Sequence, residues 1–280
     1  MALLTLVTGL GLLLTACGTA VASSTTHNPT TSVTTVPSTA PPPTAAATPH
    51  APPRAEVLLA LGDSVPAGNA CGCETYVSLI AAQMASRTGI SITARNDAVS
   101  GLDSAGLLAS LGIGSPTAAD VARANVVIIT IGANDFSVPP DGARCGAATS
   151  CYSSGLAALA ANVSATITRI RAIRPGPPAT VVLTGYWNVW QDGTVAAQMG
   201  ARFVQLSRAI TSATNDVLRQ VARSHGVRYV DLVQPFLGPR GDADDTNLLA
   251  PDGDHPDATG HQVIAAAILQ AVPSLLQRPA

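Results

Sequence analysis

The sequence predicts an α/β fold over residues 55–280, a five-stranded parallel sheet carrying helices on both faces. Two observations carry this. Short runs rich in β-branched residues alternate five times with longer amphipathic segments, and a strand-helix-strand crossover must return right-handed to the same sheet. In addition, the clusters of reactive residue types fall just after the apolar runs, where open α/β sheets hold ligands beyond the carboxyl ends of their strands.

Residues 1–16 form a short apolar run ending in small residues, which predicts an export signal peptide rather than a membrane span. The tetrapeptide Leu14-Thr-Ala-Cys17 resembles the bacterial lipobox, which implies lipidation of Cys17 and a lipid anchor on the outer side of the cell membrane, or secretion if the signal is simply removed. Residues 17–54 are Thr, Ser, Pro and Ala with almost nothing large and apolar to bury, so a linker is expected. As a flexible coil it would reach on the order of 35 Å. The domain follows over 55–280.

Strands are predicted at Val57–Leu61, Ile90–Asn96, Val126–Ile131, Thr180–Gly185 and Val227–Asp231, each too short for a helix. Helices are predicted at Glu74–Thr88 and Leu156–Arg174, where apolar residues recur every three or four positions, and at 194–225 and 257–272. Pro175, Gly226 and Pro273 stand at the expected stops.

A hydrophobic fraction of 47% suffices for one sizeable core. The net charge of −2 and single, scattered arginines offer no field for nucleic acid. Beyond Cys17 the cysteines are Cys71, Cys73, Cys145 and Cys151, an even set that predicts two disulfides in an exported chain. Three pairings are open, with Cys71–Cys73 the most doubtful because Cys-x-Cys is geometrically tight. A metal site is not expected, since no histidine lies at ligand spacing from either pair, and no cofactor is implied.

The chemistry begins at Leu58-Leu-Ala-Leu-Gly-Asp-Ser64, where an apolar run breaks at a turn and exposes one hydroxyl. A serine nucleophile needs a base, a group to orient the base, and donors for the oxyanion. His255 is the candidate base. Asp252, three residues earlier, can turn back onto the ring, with Asp254 as its competitor. His261 lies inside a predicted helix and suits packing or capping instead. The backbone N–H groups of Ser64 and Gly101 and the side-chain amide of Asn134 are the candidate oxyanion donors. Tyr186, Trp187 and Trp190 follow the fourth strand and are expected to offer an aromatic surface for substrate.

Gly62-Asp-Ser-Val-Pro-Ala-Gly68, Asn96-Asp-Ala-Val-Ser-Gly101, Gly132-Ala-Asn-Asp135 and Asp252-Gly-Asp-His255 resemble, in order, the four blocks of the SGNH (GDSL-type) esterase/lipase family. The resemblance implies a three-layer α/β/α flavodoxin-like hydrolase fold. It assigns Ser64 as nucleophile and oxyanion donor, Gly101 and Asn134 as the other donors, Asp252 as orienter and His255 as base. The Cys145/Cys151 pair after the third block also looks like that of exported actinobacterial members, which favours the 145–151 pairing.

The expected partner is an ester substrate of lipid or acylated carbohydrate type, cleaved by a monomer. Two other functions compete: acyl transfer to an alcohol acceptor of the cell envelope, and silent binding of glycan or lipid in the same cleft. Partition between water and alcohol acceptors separates the first. Intact Ser64, Asn134 and His255 argue against the second.

Overall fold

Gly62 is the residue on which the sheet turns into the site, because β1 (Ala55–Gly62) runs fully buried from Leu58 to Leu61 and stops there with φ +140°. A Cβ at Gly62 would run into the Thr130 carbonyl of the neighbouring strand, so only glycine lets the two backbones approach at this point. The computed structural model describes residues 55–136, 149–174 and 176–277. The expected signal peptide, the linker, Cys17, Cys145 and Pro175 lie outside these described residues.

After β1 come the short α1 (Ser64–Ala67), then α2 (Tyr76–Thr88), β2 (Ser91–Asn96), α3 (Ser104–Ser110) and α4 (Pro116–Arg123). They are followed by β3 (Val126–Thr130), a 3₁₀ turn at Ala133–Asp135, α5 (Ser153–Ile173) and β4 (Thr180–Thr184). The chain continues through α6 (Gly193–Met199), α7 (Ala201–His225), β5 (Arg228–Val230), α8 (Val233–Leu237) and α9 (Ala258–Ala271). All strand pairs are parallel in the order β2-β1-β3-β4-β5. Helices α2, α8 and α9 pack together, while α5 packs with α3, α4 and α7, giving the expected layers of helix, sheet and helix.

The five strands fall where the β-branched runs lie, within two residues at each end. The central strand β3, Val-Val-Ile-Ile-Thr, is buried along its whole length, which is why it reads as a continuous apolar run rather than an alternation. Two helical details differ from expectation. The segment 194–225 is two helices broken at Gly200, whose φ of +94° and ψ of 162° no helix can hold. Helices α3 and α4, unassigned from sequence, each begin at a side-chain cap, Asp103 accepting from the Gly106 N–H and Ser115 from the Ala118 N–H. None of the described helices is long and apolar enough to cross a membrane.

Asp257 caps α9 by accepting from the Gly260 N–H at 2.8 Å. Asp257→Ala is expected to cost about 1 kcal/mol, a fall in Tm of roughly 2–4 °C by thermal denaturation. An unchanged Tm would mean that packing alone fixes the start of α9.

Candidate active site

The turn after β1 is built from its own residues. Asp63 caps α1, its Oδ1 accepting from the Val65 N–H at 3.0 Å, and its N–H donates to the Thr130 carbonyl at 3.1 Å. Ser64 therefore starts a helical turn at the carboxyl end of β1, half-buried, with Gly68 closing that turn in the left-handed region. The second cluster lies alongside: Asp97 and Val99 donate their N–H groups to Ala60 and Gly62, continuing the β2 register past the strand end. Gly101 follows with φ +78° and open space where a Cβ would stand. Its glycine thus serves the backbone turn and leaves the N–H uncrowded.

Asn134 sits on the 3₁₀ turn after β3, exposed, its amide donating to the Leu102 carbonyl at 3.0 Å. One of its two N–H bonds is so engaged, which orients the other. Asp135 accepts from both the N–H and the hydroxyl of Ser104, so the second and third clusters are tied twice.

The loop before α9 closes on itself. Leu249 bridges Pro256, the Ala250 N–H donates to the His255 carbonyl at 2.8 Å, and Gly253 turns with φ +66°. The His255 ring Nδ1 stands 2.7 Å from Asp252 Oδ2, while Asp252 Oδ1 accepts the N–H groups of Asp254 and His255. Asp254 is 4.0 Å from the same nitrogen, beyond hydrogen-bond reach. Partial burial pushes the Asp252 carboxyl up, but these hydrogen bonds outweigh it and hold it below the ordinary carboxylate value. Asp254, by contrast, is raised, chiefly by burial. The geometry therefore pairs His255 with Asp252.

Both Asp254 and the His255 ring act electrostatically on the Asp63 carboxyl, which brings this loop beside the Ser64 turn. Among the described residues no hydrogen bond joins the Ser64 hydroxyl to His255. Free hydrolases often show this looser separation.

His261 is not part of this group. It is fully buried in α9 and its Nδ1 accepts the Tyr76 N–H at 3.2 Å, capping α2 where Thr75 supplies no side-chain bond. Burial lowers its pKa to about 4.

The structure departs from two expectations and settles a third that was open. Tyr186, Trp187 and Trp190 are 1%, 2% and 6% exposed, so they are core rather than an aromatic rim. Trp187 stacks on Phe236 with centroids 4.2 Å apart, and Trp190 meets Tyr152 edge-on. The apolar side chain that does stand open beside the site is Val99, 55% exposed. Second, Cys71 is bonded to Cys73, the pairing that a Cys145–Cys151 bond leaves, although Cys-x-Cys geometry made it the most doubtful of the three. Left-handed backbone at Ala70 and Gly72 folds the chain back until the two Cα atoms are 5.1 Å apart, inside the normal range. Cys151 is also disulfide-bonded. Third, a histidine does lie near the first pair, since His261 comes within 4.8 Å of both sulfurs through the packing of α9 on α2. Spacing along the chain does not report that distance.

Sequence reasoning passed over Tyr186 as a support. Its hydroxyl donates to Asp63 Oδ2 and accepts from the Ala133 N–H, bridging the nucleophile turn to the turn of Asn134. Asn215 grips the Tyr186 backbone from both sides, at 2.9 and 2.8 Å. These partners lie 123 and 29 residues apart, so no local pattern reveals them.

Complete burial raises the Asp63 carboxyl to about 7 against the bonds that favour its charge. For an acid raised on folding, stability is greatest below its unfolded value near 3.8 and falls as pH rises toward 7. His261 acts oppositely, losing stability as pH falls from 6.5 to 4. Asp63→Asn keeps His261 but removes the first dependence. Between pH 5 and 8 the wild-type Tm is expected to fall relative to this variant by several degrees, roughly 4–8 °C. A constant gap would show that Asp63 does not titrate differently on folding across this range.

Residues 60–263 match the GDSL-like lipase/acylhydrolase family, a span that holds Ser64, Gly101, Asn134, Asp252 and His255. The chain belongs to that family. The GDSL-like fold is also that of solved structures at low identity. The lipase Lip_vut3 from a goat rumen metagenome is 21% identical with a TM-score of 0.63, covering 77% of this chain and 97% of its own. Axe2, an acetylxylan esterase from Geobacillus stearothermophilus, is 20% identical with a TM-score of 0.54, covering 80% and 97%. TesA is 22% identical with a TM-score of 0.53, covering 79% and 99%. No curated protein matches the chain in sequence. Family membership supports hydrolase activity on esters.

Proposed function

We propose that the chain is an exported serine esterase that cleaves carboxylic esters of lipid or acylated-glycan type through an acyl-enzyme. The observation that carries this reading is the 2.7 Å contact between His255 Nδ1 and Asp252, on a loop beside the Ser64 turn. With Nδ1–H donated to Asp252, Nε2 is left unprotonated to take a proton. Ser64 Oγ then loses its proton to His255 and attacks the ester carbonyl carbon, and the developing oxyanion faces the N–H groups of Ser64 and Gly101 and the amide of Asn134. His255 returns the proton to the departing alcohol. Water repeats the sequence on the acyl-serine and releases the acid.

A fluorophosphonate probe tests the nucleophile directly. It is expected to label the protein at Ser64 alone, with labelling greatly weakened in His255→Ala; labelling retained in Ser64→Ala would end the reading. A chain-length series of p-nitrophenyl esters, followed by acetylated polysaccharides, then defines the acyl group. Export and anchoring through Cys17 belong to the same proposal and are tested by fractionating cells that carry Cys17→Ser.

A further inference from the structure

Outside the candidate active site, the structure leaves two carboxylates in a condition that protein interiors rarely tolerate. Asp192 and Asp245 are 4% and 2% exposed. Asp192 Oδ1 accepts the Gly193 N–H at 3.0 Å, but among the described residues Asp192 Oδ2 and both oxygens of Asp245 are buried and accept no hydrogen bond from another residue. Both residues line a cavity of about 320 Å³ between the start of α6 and the loop before a 3₁₀ turn at Thr246–Leu248, together with Asp242, Asp244 and Arg208. A buried carboxylate is stable only when paired, hydrogen-bonded or bound to a metal.

The available side chains do not supply a partner. Arg208 is exposed and makes no ion pair with either residue, although its charge is felt at Asp245. Asp242 is turned to Arg240 at 3.3 Å, and Asp244 to the N–H and hydroxyl of Thr246. Protonation does not resolve the problem either. A proton shared between Asp192 and Asp245 would require a hydrogen bond between them, and none is made. A neutral Asp245 would still bury a hydroxyl without an acceptor. Yet the two are near enough for the charge of Asp192 to act on Asp245, the strongest influence there after burial.

We propose that Asp192 and Asp245 bind a hard divalent cation of the Ca²⁺ type in the cavity between α6 and the 242–246 loop. Oxygen is the only side-chain donor that these two acids offer, which suits Ca²⁺ and disfavours the softer metals that seek nitrogen or sulfur. Ca²⁺ also tolerates the irregular geometry of such a site better than Mg²⁺, completing its shell with backbone carbonyls and water. The Asp192 N–H donates to the Gly253 carbonyl at 2.7 Å, which ties the site to the catalytic loop. A cation there fastens the loop that carries Asp252 and His255. This binding does not depend on the esterase reading.

The test is the thermal denaturation of the full chain at pH 8 in EDTA and in CaCl₂, with isothermal titration calorimetry of CaCl₂ into the EDTA-treated, dialysed protein. Saturating Ca²⁺ is expected to raise Tm by about 5 °C or more, with one site in the titration. Asp245→Asn and Asp192→Asn should each remain folded by circular dichroism and lose both the shift and the binding heat. Asp242→Asn, an exposed neighbour, should keep them. Superimposable melts in EDTA and CaCl₂ for the wild type would overturn the proposal. So would a shift that survives in both Asp192→Asn and Asp245→Asn, since the ion would then sit elsewhere.

Discussion

Ser64→Ala is expected to lower kcat on a p-nitrophenyl ester by about 10⁴-fold or more, roughly 5.5 kcal/mol of barrier. Removing the nucleophile eliminates the acyl-enzyme path altogether, and what remains is the slow attack of water on an ester held near oxyanion donors. The same change should leave the fold almost untouched. Ser64 opens α1, but the cap of that turn is Asp63 and its closing residue is Gly68. Among the described residues no hydrogen bond holds the Ser64 hydroxyl, so its loss removes none. A Tm within about 2 °C of wild type is expected, because the variant makes no cavity and orphans no buried group. If turnover survives in Ser64→Ala, another residue is the nucleophile; if Tm collapses instead, the serine is structural.

Asn134→Ala is the second large effect. The tetrahedral intermediate carries a negative charge that the ground-state carbonyl lacks, so an amide aimed at it stabilises the transition state in preference to the substrate. Loss of one such donor should reduce kcat by about 10²–10³, some 2.7–4 kcal/mol, with little change in KM. The structural role of Asn134 is slight: it is exposed, and among the described residues its side chain bonds only to the Leu102 carbonyl. Asp135 holds the same two segments together through Ser104. Kinetics and melting on one purified sample therefore give opposite answers for the two roles. Reduced kcat at normal Tm supports the donor; normal kcat at reduced Tm makes Asn134 a tie of the loop.

Much of this arrangement is visible along the chain, for identifiable reasons. A buried parallel strand is apolar along its whole length, so β3 is conspicuous. The contact of His255 with Asp252 is legible because three residues separate them in one tight loop. What escapes is what the fold brings from afar. Asp63 and Tyr186 meet across 123 residues, and Tyr76 and His261 across 185. Nor does composition distinguish an aromatic in the core from one on a rim, which is how Trp187 and Trp190 are misread. The Cys71–Cys73 pairing depends on the backbone of Ala70 and Gly72, a conformation that the residue before the bond does not advertise since Ala rarely adopts it.

The cap that His261 places on α2 bears on the order in which the molecule is made. A ribosome delivers the Ser64 turn and α2 early, but the residue that finishes the start of α2, and the helix packed against it, come near the end of synthesis. Asp252 and His255 arrive in the same late stretch. Until then the growing chain holds Ser64 without the base that the proposed mechanism gives it, and α2 without its closing bond, and such long-range closures are the slow steps of folding. Under the proposed mechanism, an unfinished or truncated copy is thereby inert toward esters.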